Sequence, residues 1–266
     1  VRPFLEIPKA RFIKILDTSN LEWISDSSNF NSDYKRSRIR KILPILSKEG
    51  INSKQIGLVI KRMRLAKDAL NTQTSILLEK YLSNVENVAY FLNKNLLKDS
   101  TDREILLRVL EKIFMNISGS IYPPRRNKLE NILSWILENN NVAAKTLTGV
   151  VVRKRKNEFI FYREPEDCYK SVNIRPLTSR YSCWDDRFFL KANKSNNLQI
   201  RALGDVGITI LKEERILKRQ GFQNVPLSAW KTVPGVWSKK RLISVPTLGY
   251  CKQKDLKIYI KSNKII

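Results

Sequence analysis

The 266-residue sequence contains no histidine. That excludes a Ser-His-Asp or Cys-His catalytic unit and any His-ligated metal. Cysteine is nearly as scarce. Cys168, Cys183 and Cys251 are the only three, and no two form a Cys-x-x-Cys pair. Neither a thiolate zinc site nor a secreted disulfide framework is expected, no metal ligand is assigned, and the sparse, odd count fits a reducing cytoplasm. Long apolar runs are missing too. No stretch reaches the ~20 residues that span a bilayer, and no basic-then-apolar leader is present, so no membrane partner is expected. The first residue is Val1, which suggests an alternative start codon or a chain lacking its natural beginning. Acidic residues complete the scarcities: 25 Asp+Glu stand against 50 Lys+Arg, a net charge of +25 and a pI near 10.1. Such a surplus implies a polyanionic partner, nucleic acid before an anionic membrane surface. The plainer reading is a Lys-, Ile- and Asn-rich composition that raises lysine without selecting for binding.

What is present suffices for a packed core: 42% hydrophobic and 28% charged residues. Three regions separate along the chain. The first ends near Leu46 and closes in a helix, because Ile39, Ile42, Leu43 and Leu46 follow the i, i+3, i+4, i+7 spacing of one buried stripe. Pro44 either kinks that helix or marks a new first turn. The second, about 51–140, reads as consecutive helices. Its stripes are Ile56, Val59, Ile60, Met63 and Leu70; then Ile105, Leu106, Val109, Leu110, Ile113, Phe114 and Ile117; then Leu129, Ile132, Leu133 and Ile136 behind Pro123-Pro124. Asn139-Asn140-Asn141 is the expected boundary. The third, about 145–266, turns to β-branched and alternating segments. Strands are expected at Thr146–Val152, Glu158–Arg163, Phe188–Leu190, Leu198–Ile200 and Leu256–Ile260, with a helix over Ile208–Gln220 and loops around Pro226, Pro234 and Pro246.

The densest chemical signal is Lys35–Lys41, where five of seven residues are basic. At about 100° per residue, Arg36 and Arg40 lie one turn apart at the border of the apolar stripe, and Arg38 points to the other flank. Two guanidinium forks held at a core border make a phosphate clamp. The plainer reading is a solvated basic helix. Upstream, Asp26-Ser27-Ser28-Asn29 reads either as a turn or cap, or as a polar pocket whose anionic ligand the arginines neutralise. At the other end, residues 211–266 carry 13 Lys+Arg against 3 Asp+Glu, interleaved with Trp230, Trp237, Tyr250 and Tyr259. Basic residues among aromatics suit RNA, although core tryptophan is the plainer reading, above all for Trp237.

The run Leu21-Glu22-Trp23-Ile24-Ser25-Asp26-Ser27-Ser28-Asn29, then Arg36-Ser37-Arg38-Ile39-Arg40 and Pro44-Ile45-Leu46, resembles the tRNA(Ile)-lysidine synthase family at its own spacing. Arg2-Pro3-Phe4-Leu5 with Lys9 resembles the segment upstream of it. The likeness continues in order through Tyr122-Pro123-Pro124-Arg125, Thr146-Leu147-Thr148-Gly149, Arg163-Glu164, Trp184-Asp185-Asp186-Arg187-Phe188, Leu203-Gly204-Asp205-Val206-Gly207, Pro234-Gly235-Val236-Trp237 and Val245-Pro246-Thr247-Leu248-Gly249.

The resemblance implies an ATP- and Mg2+-dependent ligase. It adenylates the C2 carbonyl oxygen of the wobble cytidine in the CAU anticodon of tRNA(Ile). Free L-lysine then displaces AMP to give lysidine. It further implies catalytic positions at Asp26, Asn29, Arg36 and Arg40. The arginines would serve phosphate or transition-state charge; Asp26 and Asn29 would organise the pocket or meet the substrate amine. Arg2, Ser28, Arg38, Arg125, Lys239, Lys240 and Arg241 are the expected substrate-binding residues. The fold class expected is α+β: a remnant of an α/β nucleotide-binding domain over 1–48, a helical tRNA-binding domain over 49–142, and a small basic α+β domain over 143–266.

Two departures matter. Ser37 stands where the family usually has Asn. The family's pyrophosphate-cradling Ser-Gly-Gly-x-Asp-Ser loop is not among these residues, and Ser118-Gly119-Ser120 is only a fragment of it. The expectation is therefore half of a split enzyme with a separate N-terminal ATP-binding chain, a cut or truncated chain, or a non-catalytic RNA-binding remnant.

Overall fold

The computed structural model describes residues 3–4, 7–22, 24, 33–99, 102–138, 142–171, 174–193, 197–218 and 224–262. It falls into two units, residues 1–66 and 67–266.

The first unit holds α1 (Lys9–Thr18), α2 (Lys35–Lys48) and the start of α3 (Ser53–Tyr81). The sequence reading passes over α1, whose Phe12, Ile13 and Leu16 are half-buried. Helices α1 and α2 end alike. Asn20 (φ 51°) and Gly50 (φ 86°) turn left-handed, and the next N–H, of Leu21 or Ile51, returns to the carbonyl of Leu16 or Leu46 at 3.0 or 2.9 Å. Asn and Gly tolerate that geometry best, so they stop both helices. Asn52 starts α3, its Oδ1 accepting the Gln55 N–H at 3.0 Å. Pro44 sits inside α2 without ending it.

The apolar stripe expected to be buried on α2 requires correction. Ile39 and Ile42 are exposed, Leu43 and Leu46 half-buried, and the buried side chain is Ser37. The stripe of α3 behaves likewise over most of its length: Ile56, Val59, Ile60 and Met63 are exposed, Leu70 is half-buried, and full burial begins at Thr74, Leu77 and Leu78. Helical spacing records that a face is apolar, not that this chain covers it.

In the second unit, the chain after α3 forms β1 (Leu82–Val85), β2 (Ala89–Asn93), α4 (Leu96–Asp99), α5 (Arg103–Ser118) and α6 (Arg126–Leu137). It continues with β3 (Ala144–Leu147), β4 (Val150–Lys154) and β5 (Glu158–Arg163). The reading of this stretch as helices alone is corrected by β1 and β2. They join an antiparallel sheet of order β1-β2-β5-β4-β3, which runs across the expected division at 142/143. The run Val88–Leu92 is apolar at every position because both faces of β2 are covered. Tyr90, Leu92, Phe159, Phe161, Val150 and Val152 meet the stripes of α5 and α6, while Ala89, Phe91, Ile160 and Tyr162 meet the C-terminal part. The stripes expected on α5 and α6 are buried. Asp102 caps α5 by accepting the N–H groups of Glu104 and Ile105 at 2.9 and 3.3 Å. The boundary expected at Asn139–Asn141 lies outside the described residues.

The remainder comprises α7 (Pro165–Ser171), β6 (Arg175–Pro176), β7 (Ser182–Trp184), β8 (Phe188–Ala192), β9 (Gln199–Ala202), α8 (Gly204–Glu213), α9 (Leu227–Trp230), β10 (Pro234–Ser238), β11 (Arg241–Val245), β12 (Tyr250–Cys251) and β13 (Ile258–Ser262). They form two further antiparallel sheets, β12-β11-β10-β9-β6 and β13-β8-β7. Two expectations are corrected here. Residues around Pro234 are strands, and α8 starts at Gly204 and stops at Glu213. Pro234 opens β10, the strand position where its missing N–H costs least. The fold is a mixed α+β structure.

Candidate nucleic-acid interface

Arg2, Asp26, Ser28 and Asn29 lie outside the described residues. Arg36 falls in the first turns of α2 and Arg40 one turn later, where Arg40 is exposed. Arg38 is exposed too and donates from Nη1 to the carbonyl of Asp33 at 2.9 Å. Since Ile39 and Ile42 are exposed, the expectation that a buried stripe holds these arginines is corrected. The helix presents Arg38, Arg40 and Lys41 to solvent together with Ile39 and Ile42.

Arg125 is the residue just ahead of α6 and is exposed. Its neighbour Arg126 is engaged, reaching Glu104 at 2.7 Å and Glu130 at 3.2 Å. The Arg126 guanidinium, helped by Arg108, holds the Glu104 carboxyl below the usual carboxylate range. The preceding loop shows Ile121 and Tyr122 to solvent. Basic, aromatic and apolar groups thus share one exposed corner of the fold.

Lys239, Lys240 and Arg241 form the tip of the β10–β11 hairpin, and all three are exposed. Lys239 takes φ 52°, a left-handed conformation where Gly or Asn is the easier choice. Behind the tip, Trp237 and Leu242 pair across the strands and are buried. Three cations are therefore carried on a turn whose base is fixed in the core.

The aromatic half of the RNA surface expected over 211–266 is corrected. Trp230, Trp237 and Tyr250 are core residues, and the Arg201 guanidinium lies 3.9 Å from the Trp237 ring centre. Tyr259 is the member of that set that is exposed. Sequence reasoning missed Lys191, whose ammonium lies 5.1 Å from the Tyr259 ring centre, and Tyr181, whose ring Lys191 and Lys261 both approach. The available signal was the alternation in Phe188–Ala192, whose odd-numbered positions turn away from the core.

Several motif residues are structural instead. The Asp185 carboxylate lies between Arg163 (Nε, 3.1 Å) and Arg187 (Nε, 2.7 Å), all three side chains being buried. Cys168 lies beside this cluster, and burial pushes its thiol up to about 12. A nucleophile needs its thiolate, so Cys168 is a packing residue. Among the described residues no three Cys, Asp or Glu gather where a metal ion could be held. No helix among them is long and apolar enough to cross a membrane.

A family model described as a PP-loop domain matches residues 1–46. Proteins named tRNA(Ile)-lysidine synthase are similar over much more of the chain. The one from Wolbachia sp. subsp. Brugia malayi is 30% identical over 188 residues, 71% of this chain and 43% of its own length. That of Ruegeria pomeroyi is 27% identical over 94% of this chain and 56% of its own length. That of Orientia tsutsugamushi is 24% identical over 96% and 59%. The chain spans about half the length of these curated relatives. The similarity to proteins named tRNA(Ile)-lysidine synthase runs through both units and over nearly the whole of this chain.

Proposed function

We propose that this chain is the tRNA-engaging portion of a tRNA(Ile)-lysidine synthase. In the full reaction ATP adenylates the C2 carbonyl oxygen of the wobble cytidine in a CAU anticodon. The unprotonated ε-amine of free lysine then displaces AMP. The observation that carries this reading is the similarity to relatives of that name along 94% of the chain. Asp26, Ser28 and Asn29 would line the polar pocket and Arg36 and Arg40 would neutralise phosphate, on the strength of their motif positions alone. Arg2 and Arg38 are assigned to substrate on the same ground. No magnesium ligand is assigned, since no candidate set gathers among the described residues.

For tRNA, the physical support is exposed cationic side chains on ordered structure: Arg125 at the start of α6, and Lys239, Lys240 and Arg241 at the hairpin tip. Guanidinium and ammonium groups at such points meet phosphates and release counterions. They lie on either side of the division expected at 142/143, so tRNA contact is proposed for both parts.

Fluorescence anisotropy with tRNA(Ile) and with an unstructured RNA of equal length tests the binding half. The expected result is tighter binding of tRNA(Ile) at every salt concentration. Equal affinity throughout would reduce the chain to a general polyanion binder.

A further inference from the structure

The three-stranded sheet β13-β8-β7 buries one face and leaves the other open. Phe188, Leu190 and Ala192 go to the core, while Phe189 and Lys191 alternate outward. The register places Tyr259 opposite Lys191, and Lys261 opposite Phe189, so these four side chains share the outer face. Tyr181, just ahead of β7, closes over it. The Lys191 Nζ lies 4.9 Å from the Tyr181 ring centre and 5.1 Å from that of Tyr259. The Lys261 Nζ lies 4.9 Å from the Tyr181 ring centre. Tyr181 is 39% exposed and Tyr259 48%.

This is an unusual concentration of charge. Two ammonium groups surround one phenol ring, and neither forms an ion pair among the described residues. The ring quadrupoles attract both cations, yet the cations repel each other. An anion placed between them would relieve that repulsion. Beside it, the exposed tyrosine rings offer stacking surfaces. A flat π-system bonded to a phosphate satisfies both needs, and that is a nucleotide. A duplex keeps its base faces stacked internally, so only an unpaired nucleotide can present one.

We propose that the outer face of β7, β8 and β13 is a stacking site for unpaired nucleotides of RNA, with Tyr181 and Tyr259 taking bases and Lys191 and Lys261 taking phosphates. The proposal rests on the reading of the chain as an RNA-binding protein and adds a site and a preference to it.

The test uses the full chain and two RNAs, a blunt-ended two-strand duplex and the same duplex with a short single-stranded tail. The tailed RNA should bind more tightly. Tyr181→Ala and Tyr259→Ala should each weaken its binding about tenfold, with binding of the blunt duplex unchanged and Tyr259→Phe behaving as the parent. Lys191→Ala and Lys261→Ala should each lower the salt slope for the tailed RNA by about one. A double Tyr181→Ala, Tyr259→Ala variant that keeps the tail preference would overturn the proposal. So would a parent chain that binds both RNAs equally. Should the variants unfold, a 4-thiouridine in the tail must crosslink to the peptides holding Tyr181 or Tyr259 of the unsubstituted chain. Crosslinks confined to other peptides overturn the proposal. Failure to bind either RNA would instead overturn the broader RNA-binding reading along with it.

Discussion

The Asp185 carboxylate lies 3.1 Å from Nε of Arg163, with 2% of the one side chain and 5% of the other exposed. The same carboxylate also accepts from Arg187, and Asp167 pairs with Arg163. Arg163 further donates to the carbonyl of Gly149 at 3.0 Å, and Arg187 to that of Thr232 at 3.0 Å. One buried cluster therefore joins β5, α7, the β3–β4 turn, the β7–β8 turn and the segment ahead of β10. Removing its shared anion leaves two buried cations facing each other. Asp185→Ala should cost about 3–5 kcal/mol, read as a lower denaturant midpoint at constant slope. An unchanged midpoint would show that the cluster does not hold these elements.

Gly149 closes the β3–β4 hairpin at φ 68°, after Thr148 at φ 48°. Positive φ at both central residues is the two-residue turn that matches strand twist. An added Cβ at Gly149 would also overlap the Arg163 guanidinium and the Asp167 carboxylate. Gly119, ending α5 at φ 69°, has Asp186 Cβ 2.7 Å from where its own would be. Gly149→Ala should destabilise by about 2 kcal/mol or more, above the ~1 kcal/mol of left-handed strain alone. Thermal unfolding of Gly149→Ala beside Gly50→Ala, whose added Cβ meets nothing within 4 Å, separates the overlap from the strain. Equal losses would remove the overlap argument.

Burial pushes the Cys168 thiol from 9.0 up to about 12. A folded pKa raised above the unfolded one contributes stability that is complete below about pH 9 and is lost as pH rises toward 12. Tyr90 is raised by burial from 10.0 to about 12, so its contribution declines only above about pH 10. Between about pH 9 and 10 stability should therefore fall by up to ~1.4 kcal/mol through Cys168. Cys168→Ala should flatten that window. In the native chain a thiol reagent should label exposed Cys251 and spare Cys168. Rapid labelling of Cys168 would contradict its burial.

Lys239, Lys240 and Arg241 leave the core at a turn, so changing them should cost little stability. The triple Ala variant should unfold within about 0.5 kcal/mol of the parent. Its tRNA affinity should fall at low salt, and the slope of log K against log salt should drop by up to about three. Arg125→Ala should lower it by about one. An unaltered slope would remove the hairpin tip from the interface.

Much of the fold was legible because it is local. The stripes of α5 and α6 follow the helical period, and β4, β5 and β8 are runs rich in β-branched and aromatic residues. What escaped depends on partners distant in sequence. Val88–Leu92 has no alternation because α5 and α6 cover one face of its sheet and the Trp230–Trp237 core the other. Trp230 and Trp237 look like an RNA surface in a basic sequence, yet they fill that core. The stripe of α2 is visible in the sequence, but no spacing rule says whether Ile39 and Ile42 are covered. Of the site, Arg125 and the basic tip were legible as charge. Tyr181 and Lys191 were not, because strand pairing brings them to Tyr259 and Lys261 from residues far along the chain.

The proposed role of this chain is to engage tRNA(Ile) as part of a lysidine-forming ligase. Its most direct test supplies a PP-loop domain carrying Ser-Gly-Gly-x-Asp-Ser, fused or as a separate chain, with ATP, labelled lysine and tRNA(Ile) bearing a CAU anticodon. The predicted result is ATP-dependent incorporation of lysine at the wobble cytidine, reduced about 10²-fold by Arg36→Ala if that guanidinium meets developing phosphate charge. Stable binding of the tRNA with no lysine incorporated under any of these conditions would contradict the claim and leave a binding protein.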